Sequence, residues 1–108
     1  MKVLQQLSEI VQGTTARERS TARLFHAAME KSLRERGWRV HREVQVPNRG
    51  DGIRGRIDLV ATQADIRVAI ELDNVITRKK SRFKLSQFEG PGFIILRQSA
   101  RIIPCNQP

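Results

Sequence analysis

Three acidic side chains interrupt the most apolar part of this sequence. Asp58 lies within the apolar segment 57–61, and Glu71 and Asp73 follow the apolar segment 68–70. Burying a carboxylate is costly unless it is paired with a cation, and close carboxylates raise each other's pKa. Carboxylate oxygens in a partly open site suit Mg²⁺ or Mn²⁺. The three acids are therefore candidate ligands of a divalent metal ion.

A basic cluster follows the acidic segment closely along the chain. Segment 78–84 has no acidic residue and carries five basic ones, Arg78, Lys79, Lys80, Arg82 and Lys84. Lys80 and Lys84 are four residues apart, so they share one face of a helix. Next to a metal site, such side chains stabilise the charge that develops on a phosphate group during hydrolysis. The alternative is an ordinary solvated helix face.

A second basic segment contains glycines as well as arginines. Residues 49–56 include three glycines and the arginines Arg49, Arg54 and Arg56. The segment either holds a phosphate backbone or is a mobile connector. It matches no known phosphate-binding fingerprint.

Strand alternation predicts how the acids are positioned. In segment 68–73, Val68, Ile70 and Leu72 share one face of a strand, whereas Ala69, Glu71 and Asp73 share the other. If segments 56–62 and 67–73 pair as a hairpin, Asp58 lies beside Glu71. All three carboxylates would then meet at one edge of a sheet. Asp73 has an alternative interpretation, as the start of the turn into the next helix.

The remaining elements follow from hydrophobic periodicity and turn residues. Helices are indicated at residues 1–12, about 16–36 and 77–88, and strands at 38–46 and 93–96 in addition to the hairpin. Val40, Val44 and Val46 are expected on one face of their strand, and Trp38 and Phe83 are expected in the core. Because segment 93–96 is apolar throughout, we predict an α/β fold with a mixed sheet flanked by helices, in the order α-β-β-β-α-β.

Length and charge restrict the class of protein. The 108 residues indicate one domain, with an N-terminal extension at 1–14 and a C-terminal tail at 98–108. The net charge of +9 indicates a polyanionic partner, nucleic acid before membrane, although basicity also serves solubility. No segment is apolar enough to span a membrane and no secretory signal is evident, so we expect a cytoplasmic protein. The single cysteine, Cys105, is expected to be an incidental thiol.

The order and spacing of these segments resemble a known family. Gly55-Arg56-Ile57-Asp58-Leu59-Val60-Ala61, with Glu71 thirteen residues after Asp58, is similar to the core motif of the PD-(D/E)XK nucleases, which have the restriction-endonuclease-like fold. Within that superfamily the chain most resembles the archaeal Holliday-junction resolvases, which also carry a helix followed by Gly-aromatic-x-Val, here Gly37 to Val40. The resemblance spans about residues 21–96.

The resemblance implies roles for individual residues. Asp58 and Glu71 would be metal ligands, with the Leu72 carbonyl as a possible third. The motif lysine belongs at residue 73, where this chain has Asp73, so Lys80 or Lys84 would replace it from the following helix. Resolvases also carry a glutamate on the first helix, at the position of His26 here. The nearby acids that remain as alternatives are Glu18, Glu30 and Glu43.

The sequence therefore predicts a small Mg²⁺- or Mn²⁺-dependent DNA endonuclease, plausible as a symmetric homodimer. Asp73 would assist the metal or orient the attacking water. The residues expected to bind the DNA backbone are Arg49, Arg54, Arg56, Arg78, Lys79 and Arg82. The alternatives are a DNA-binding module that has the fold without catalysis, and a protein-protein adaptor whose charge serves solubility.

Overall fold

The protein combines helices with one mixed sheet, as a computed structural model that describes residues 2–105 shows. Its elements, in chain order, are α1 (Lys2–Gln12), α2 (Ala22–Glu35), β1 (Arg39–Val46), β2 (Gly55–Gln63), β3 (Ile66–Asp73), α3 (Lys79–Ser86), β4 (Gly92–Leu96) and β5 (Arg101–Cys105). The predicted α/β class is confirmed. Two elements extend the predicted order: α1 in the expected extension, and β5 in the expected tail. None of the helices in the described part of the chain is long and apolar enough to cross a membrane.

The five strands lie in the sheet in chain order. β1, β2 and β3 form an antiparallel meander, β3 and β4 are parallel, and β5 returns antiparallel to β4. The predicted hairpin is confirmed, because Leu59 of β2 lies opposite Ile70 of β3. The parallel step from β3 to β4 requires a crossover, and α3 provides it.

Helices cover both faces of the sheet. α1 and α2 cover one face, and α3 covers the other; the largest buried side chains of the two layers include Leu7, Phe25, Met29 and Phe93 in the first and Ile57, Leu85 and Ile94 in the second. Trp38 is buried as expected, and its indole N–H donates to Gln6 Oε1 at 2.9 Å. The expectation for Phe83 is wrong, since its side chain is 43% exposed.

In the middle of β1 and β2, the side of the sheet on which alternate residues lie changes. Val40 packs in the α1–α2 layer, whereas Val44 and Val46 pack in the α3 layer, so the prediction that these three valines share one face is wrong. The change occurs at Glu43, whose φ of 56° departs from the extended backbone. The register places Glu43 opposite Asp58, between the pairs Arg42–Leu59 and Val44–Ile57. The irregularity therefore lies at the position of the first candidate metal ligand.

Candidate active site

Asp58 and Glu71 hold β2 and β3 together where regular pairing ends. The last backbone-paired residues are Leu59 and Ile70, one position before the two acids. Beyond them, the Asp58 N–H donates to Glu71 Oε2 at 2.8 Å, and the Leu72 N–H donates to Asp58 Oδ2, also at 2.8 Å. Side chains thus replace the backbone ladder. These contacts fix the two carboxylates side by side.

Lys84 is the basic residue that reaches this acid pair. Its Nζ lies 2.6 Å from Glu71 Oε1 and donates to the Arg56 carbonyl at 2.9 Å. Apart from this ion pair, no residue within 2–105 donates a hydrogen bond to the buried Glu71 Oε1. Lys80, one turn earlier on the same side of α3, is exposed and lines a basic cavity beside the acids. Of the two lysines that the sequence left open, the structure brings Lys84 to the acids.

Gly55, the first residue of the motif that contains Asp58, makes room for Lys84, a role that was not predicted from the sequence. A Cβ at Gly55 would lie 2.8 Å from Arg49 Cβ and 3.0 Å from Lys84 Cδ. Such distances are too short for carbon atoms, so any side chain would displace the lysine stem or the loop. A glycine at the start of a strand is the signal that identifies such a close approach.

The Glu71 carboxyl binds its proton unusually tightly. Burial raises its pKa to about 7, and the charge of Asp58 acts in the same direction. The hydrogen bond and charge of Lys84 oppose this shift without cancelling it. The side chain is fully buried, so desolvation of the carboxylate outweighs its single cationic partner. A further cation at this position would stabilise the ionised form.

The pKa of Asp58 depends on the same burial and on a larger number of charged neighbours. Burial raises the pKa of Asp58, and the hydrogen bond from the Leu72 N–H lowers it. The charges of Lys84 and His26 also lower it, whereas Glu43 raises it. His26 and Glu43, the two additional candidates from the sequence, therefore lie within electrostatic reach of Asp58.

The structure gives the other candidate acids different partners. Glu30 forms ion pairs with Arg34 at 2.9 Å and with Arg42 at 3.1 Å. Glu18 accepts from the Thr15 N–H at 2.8 Å in the turn before α2. Within residues 2–105, no three His, Cys, Asp or Glu side chains come together as a metal site.

Asp73 lies apart from the acid pair and fixes the start of α3, so the prediction that all three carboxylates meet is wrong. Its Oδ2 accepts from the Arg78 N–H at 2.9 Å, and its Oδ1 accepts from Arg78 Nε at 3.2 Å and from Ser81 Oγ at 2.8 Å. The side chain is buried. Of the two interpretations from the sequence, these contacts match the turn into the helix. The sequence analysis missed Ser81, which lies eight positions further along and gives no local signal.

The oxygen atoms at the acid pair suit a hard divalent cation that needs few ligands from the protein. Two carboxylates are fixed side by side, and the Leu72 carbonyl adds a third oxygen, because the N–H and C=O of a strand residue point to the same side and the Leu72 N–H points to β2. Mg²⁺ accepts few protein oxygens and keeps several waters. The arrangement does not fit a metal enclosed by three acidic or histidine side chains.

A basic cavity of about 440 Å³ opens beside Asp58 and Lys84. It is lined by Glu43, Arg49, Arg54, Gly55, Arg56, Asp58, Arg78, Lys80 and Lys84. Six of these nine residues are basic and two are acidic, so the lining is cationic. Of the residues predicted to bind DNA, Lys79 and Arg82 lie outside it, and Arg82 donates to Thr77 Oγ1 at 3.0 Å.

The glycine-arginine segment is held in place beside this cavity. Asn48 Oδ1 accepts from the Gly50 N–H at 2.7 Å and from the Gly52 N–H at 2.9 Å. Gln87 in turn accepts from the Asn48 N–H at 3.0 Å, which ties the segment to the end of α3. Arg49 pairs with Asp51 at 2.9 Å. The segment therefore forms a hydrogen-bonded wall of the cavity.

Comparison with known proteins adds no relative. No protein-family model matches the chain, and no curated protein or solved structure matches it either. What bears on function is the geometry of the acid pair, together with Lys84 and the cationic cavity beside them.

Proposed function

We propose that this protein is a metal-dependent DNA endonuclease of the PD-(D/E)XK type, in which Lys84 takes the part of the motif lysine. One observation carries the proposal: Asp58, Glu71 and Lys84 meet through contacts of 2.6–2.8 Å beside a cationic cavity. The mixed five-stranded sheet flanked by helices also suits that family. Phosphodiester hydrolysis needs this combination of paired acids and a cationic surface.

Each residue of the site has a part in this reaction. Asp58, Glu71 and the Leu72 carbonyl would hold Mg²⁺ or Mn²⁺. Such an ion, when bound, polarises the phosphate and lowers the pKa of a coordinated water. Lys84 donates to the phosphate oxygen on which negative charge develops, since its ammonium lies at the acid pair.

The cavity lining orients the substrate. The DNA phosphates on either side of the cleaved one are bound by Arg49, Arg54, Arg56, Arg78 and Lys80. Asp73 contributes through α3, whose first turn it anchors, and so holds Lys84 at its distance from Glu71.

A second candidate function is a DNA-binding module without catalysis. The observation that favours it is Asp73 itself, because the residue at the motif-lysine position is committed to Arg78 and Ser81. This module would have the cationic cavity, and it would bind DNA with a steep dependence on salt and leave the DNA intact.

The deciding experiment is cleavage of labelled linear duplex, single-stranded, flap and four-way-junction DNA with Mg²⁺, Mn²⁺ or EDTA. We expect metal-dependent cleavage by the wild type, and losses of about 10²–10³-fold for Glu71→Gln and Lys84→Met. Lys80→Met should lose less, since it is Lys84, one turn later on α3, that contacts Glu71. Lys31→Met is the matched control, because it removes the same charge from the exposed side of α2.

The outcomes separate the candidate functions. Intact DNA with every metal, together with salt-sensitive binding, would identify the binding module. Intact DNA without binding would reject both and favour the adaptor. If Lys84→Met cleaves as fast as Lys31→Met, the assignment of Lys84 is wrong even for an active nuclease.

A further inference from the structure

A second cavity lies at the C-terminal end of β3, next to the start of α2. It has a volume of about 240 Å³ and is lined by Ala22, Phe25, Leu72, Asp73, Asn74, Arg78 and Arg97. This volume is below the roughly 300–1,000 Å³ of pockets that enclose a whole small molecule. The cavity therefore suits one chemical group of a larger ligand.

The polar groups of this cavity favour an anion. Its one acidic residue, Asp73, already accepts hydrogen bonds from Arg78 and Ser81, so its charge is compensated. Arg97 is fixed in place, because its Nη1 donates to the Arg19 carbonyl at 3.0 Å. A guanidinium group has five N–H donors, and this contact uses one of them. Both arginines thus line a space that contains no uncompensated acid.

The two cavities are neighbours with a shared residue. Arg78 lines both of them, and its side chain is 59% exposed although Asp73 anchors its Nε. Leu72 also connects them, because its N–H bonds to Asp58 while the residue lines the second cavity. A polyanion bound beside the acid pair would pass Arg78 and reach Arg97.

We propose that the second cavity is a phosphate subsite, in which Arg97 and Arg78 bind the DNA phosphate next to the one that is cleaved. This inference rests on the proposed function, which supplies the strand. The subsite fixes the strand's position along the site, and base identity plays no part in it, since guanidinium groups recognise phosphate geometry.

The test is DNA binding in EDTA, measured by fluorescence anisotropy as a function of salt. Each phosphate contact adds about 0.9 to the slope of log K against log salt. We expect Arg97→Gln to lower that slope by about 1 relative to the wild type. Arg39→Gln is the matched control, because Arg39 is exposed at the start of β1, far along the strands from the acid pair.

A second variant protects the test against misfolding of Arg97→Gln. Ala22 is exposed at the first residue of α2, where an acidic side chain is compatible with the helix. Ala22→Glu places a carboxylate in the cavity and retains the Arg97 side chain. It should also lower the salt slope, and thermal unfolding of both variants checks that they are folded.

Two probes separate the sources of the phosphate group. Inorganic phosphate and a short oligonucleotide with or without a 5′-phosphate are titrated while the amide signals of Ala22 and Asn74 are followed by NMR. Shifts with both oligonucleotides that Arg97→Gln abolishes would support an internal strand phosphate. Shifts with inorganic phosphate or the 5′-phosphorylated form alone would overturn that assignment.

Different experimental results would reject the phosphate subsite and the proposed function. If wild type binds and cleaves DNA but Arg97→Gln and Ala22→Glu keep the slope of Arg39→Gln, the subsite is rejected and the nuclease stands. If wild type neither binds nor cleaves DNA, both proposals fall.

Discussion

At the scale of single residues, the candidate site is an incompletely neutralised pair of carboxylates. Glu71 is fully buried, Asp58 lies beside it, and Lys84 supplies one positive charge against two negative ones. Burial raises the pKa of both acids, and the charge of Asp58 adds to the shift of Glu71. A site that is short of one or more positive charges is prepared for a cation, at a cost in stability when no cation is bound.

That cost predicts the pH dependence of stability. The pKa of Glu71 is raised from 4.5 to about 7 in the folded protein, so between these pH values the folded state binds a proton that the unfolded chain has lost. The free energy of unfolding must therefore fall as pH rises through this window, by up to about 3 kcal/mol. Urea unfolding of the metal-free protein at several pH values measures it.

The control for this prediction is Glu71→Gln, which keeps an oxygen that can accept from the Asp58 N–H. The difference in stability between wild type and this variant should change between about pH 4.5 and 7 in favour of the variant. Parallel curves for the two proteins across that window would show that Glu71 does not titrate there.

At the scale of elements, the position of α3 decides whether the basic side chain reaches the acids. Asp73 anchors its start, and Gln87 ties its end to the segment before β2. Leu85 fixes the helix between these points, because it is fully buried in the layer beneath α3. The helix has only eight residues, too few to be stable alone, so these tertiary contacts maintain it.

Asp73→Asn tests this anchor. The substitution removes the charge that pairs with Arg78 and weakens the contact to Ser81, and we expect a loss of about 1–3 kcal/mol in the free energy of unfolding. Cleavage should also slow, because Lys84 is positioned through α3. Asp51→Asn is the matched control, since that acid is exposed and pairs with its sequence neighbours Arg49 and the Ile53 N–H. Equal stability of the two variants would contradict the anchor.

The elements also show what the sequence can predict. Alternation of residues 68–73 correctly places Glu71 and Asp73 on one face, and the hairpin correctly brings Asp58 to Glu71. The choice between Lys80 and Lys84 was not predictable, because both lie on one helix face and only the packing of α3 over Gly55 separates them.

Two further features depend on tertiary structure. The face change in β1 requires the positive φ of Glu43, a residue type that does not favour that conformation. Segment 101–105 is short and contains Pro104, and it is a strand because β4 offers it an edge. Neither feature has a local pattern that periodicity detects.

At the scale of the whole molecule, the predicted extension belongs to the core. α1 buries Val3, Leu7, Ile10 and Val11 in the same cluster as α2 and the sheet. The indole of Trp38 is linked to this helix through Gln6. A small domain has little buried area to spare, so the loss of one such side chain affects the entire fold.

Leu7→Ala should therefore destabilise the molecule by about 2–5 kcal/mol, because Leu7 is only 1% exposed and its truncation leaves a cavity. Chemical denaturation of the whole chain measures the change. Leu4→Ala, on the partly buried side of α1, is the matched control and should cost less. If both cost under about 1 kcal/mol, α1 is a dispensable appendage.

The hydrogen bonds between the acid pair and the backbone have a consequence for how this protein evolves. Loss of either carboxylate would leave a buried N–H group of Asp58 or Leu72 without an acceptor, at about 1–3 kcal/mol. An amide at either position keeps an acceptor oxygen for its N–H group, so selection for a stable fold tolerates asparagine at position 58 or glutamine at position 71 but not a side chain without an acceptor. Lys84 also joins β2 to β3, through the Arg56 carbonyl and Glu71 Oε1, so its replacement in a diverging descendant would loosen the same strand ends.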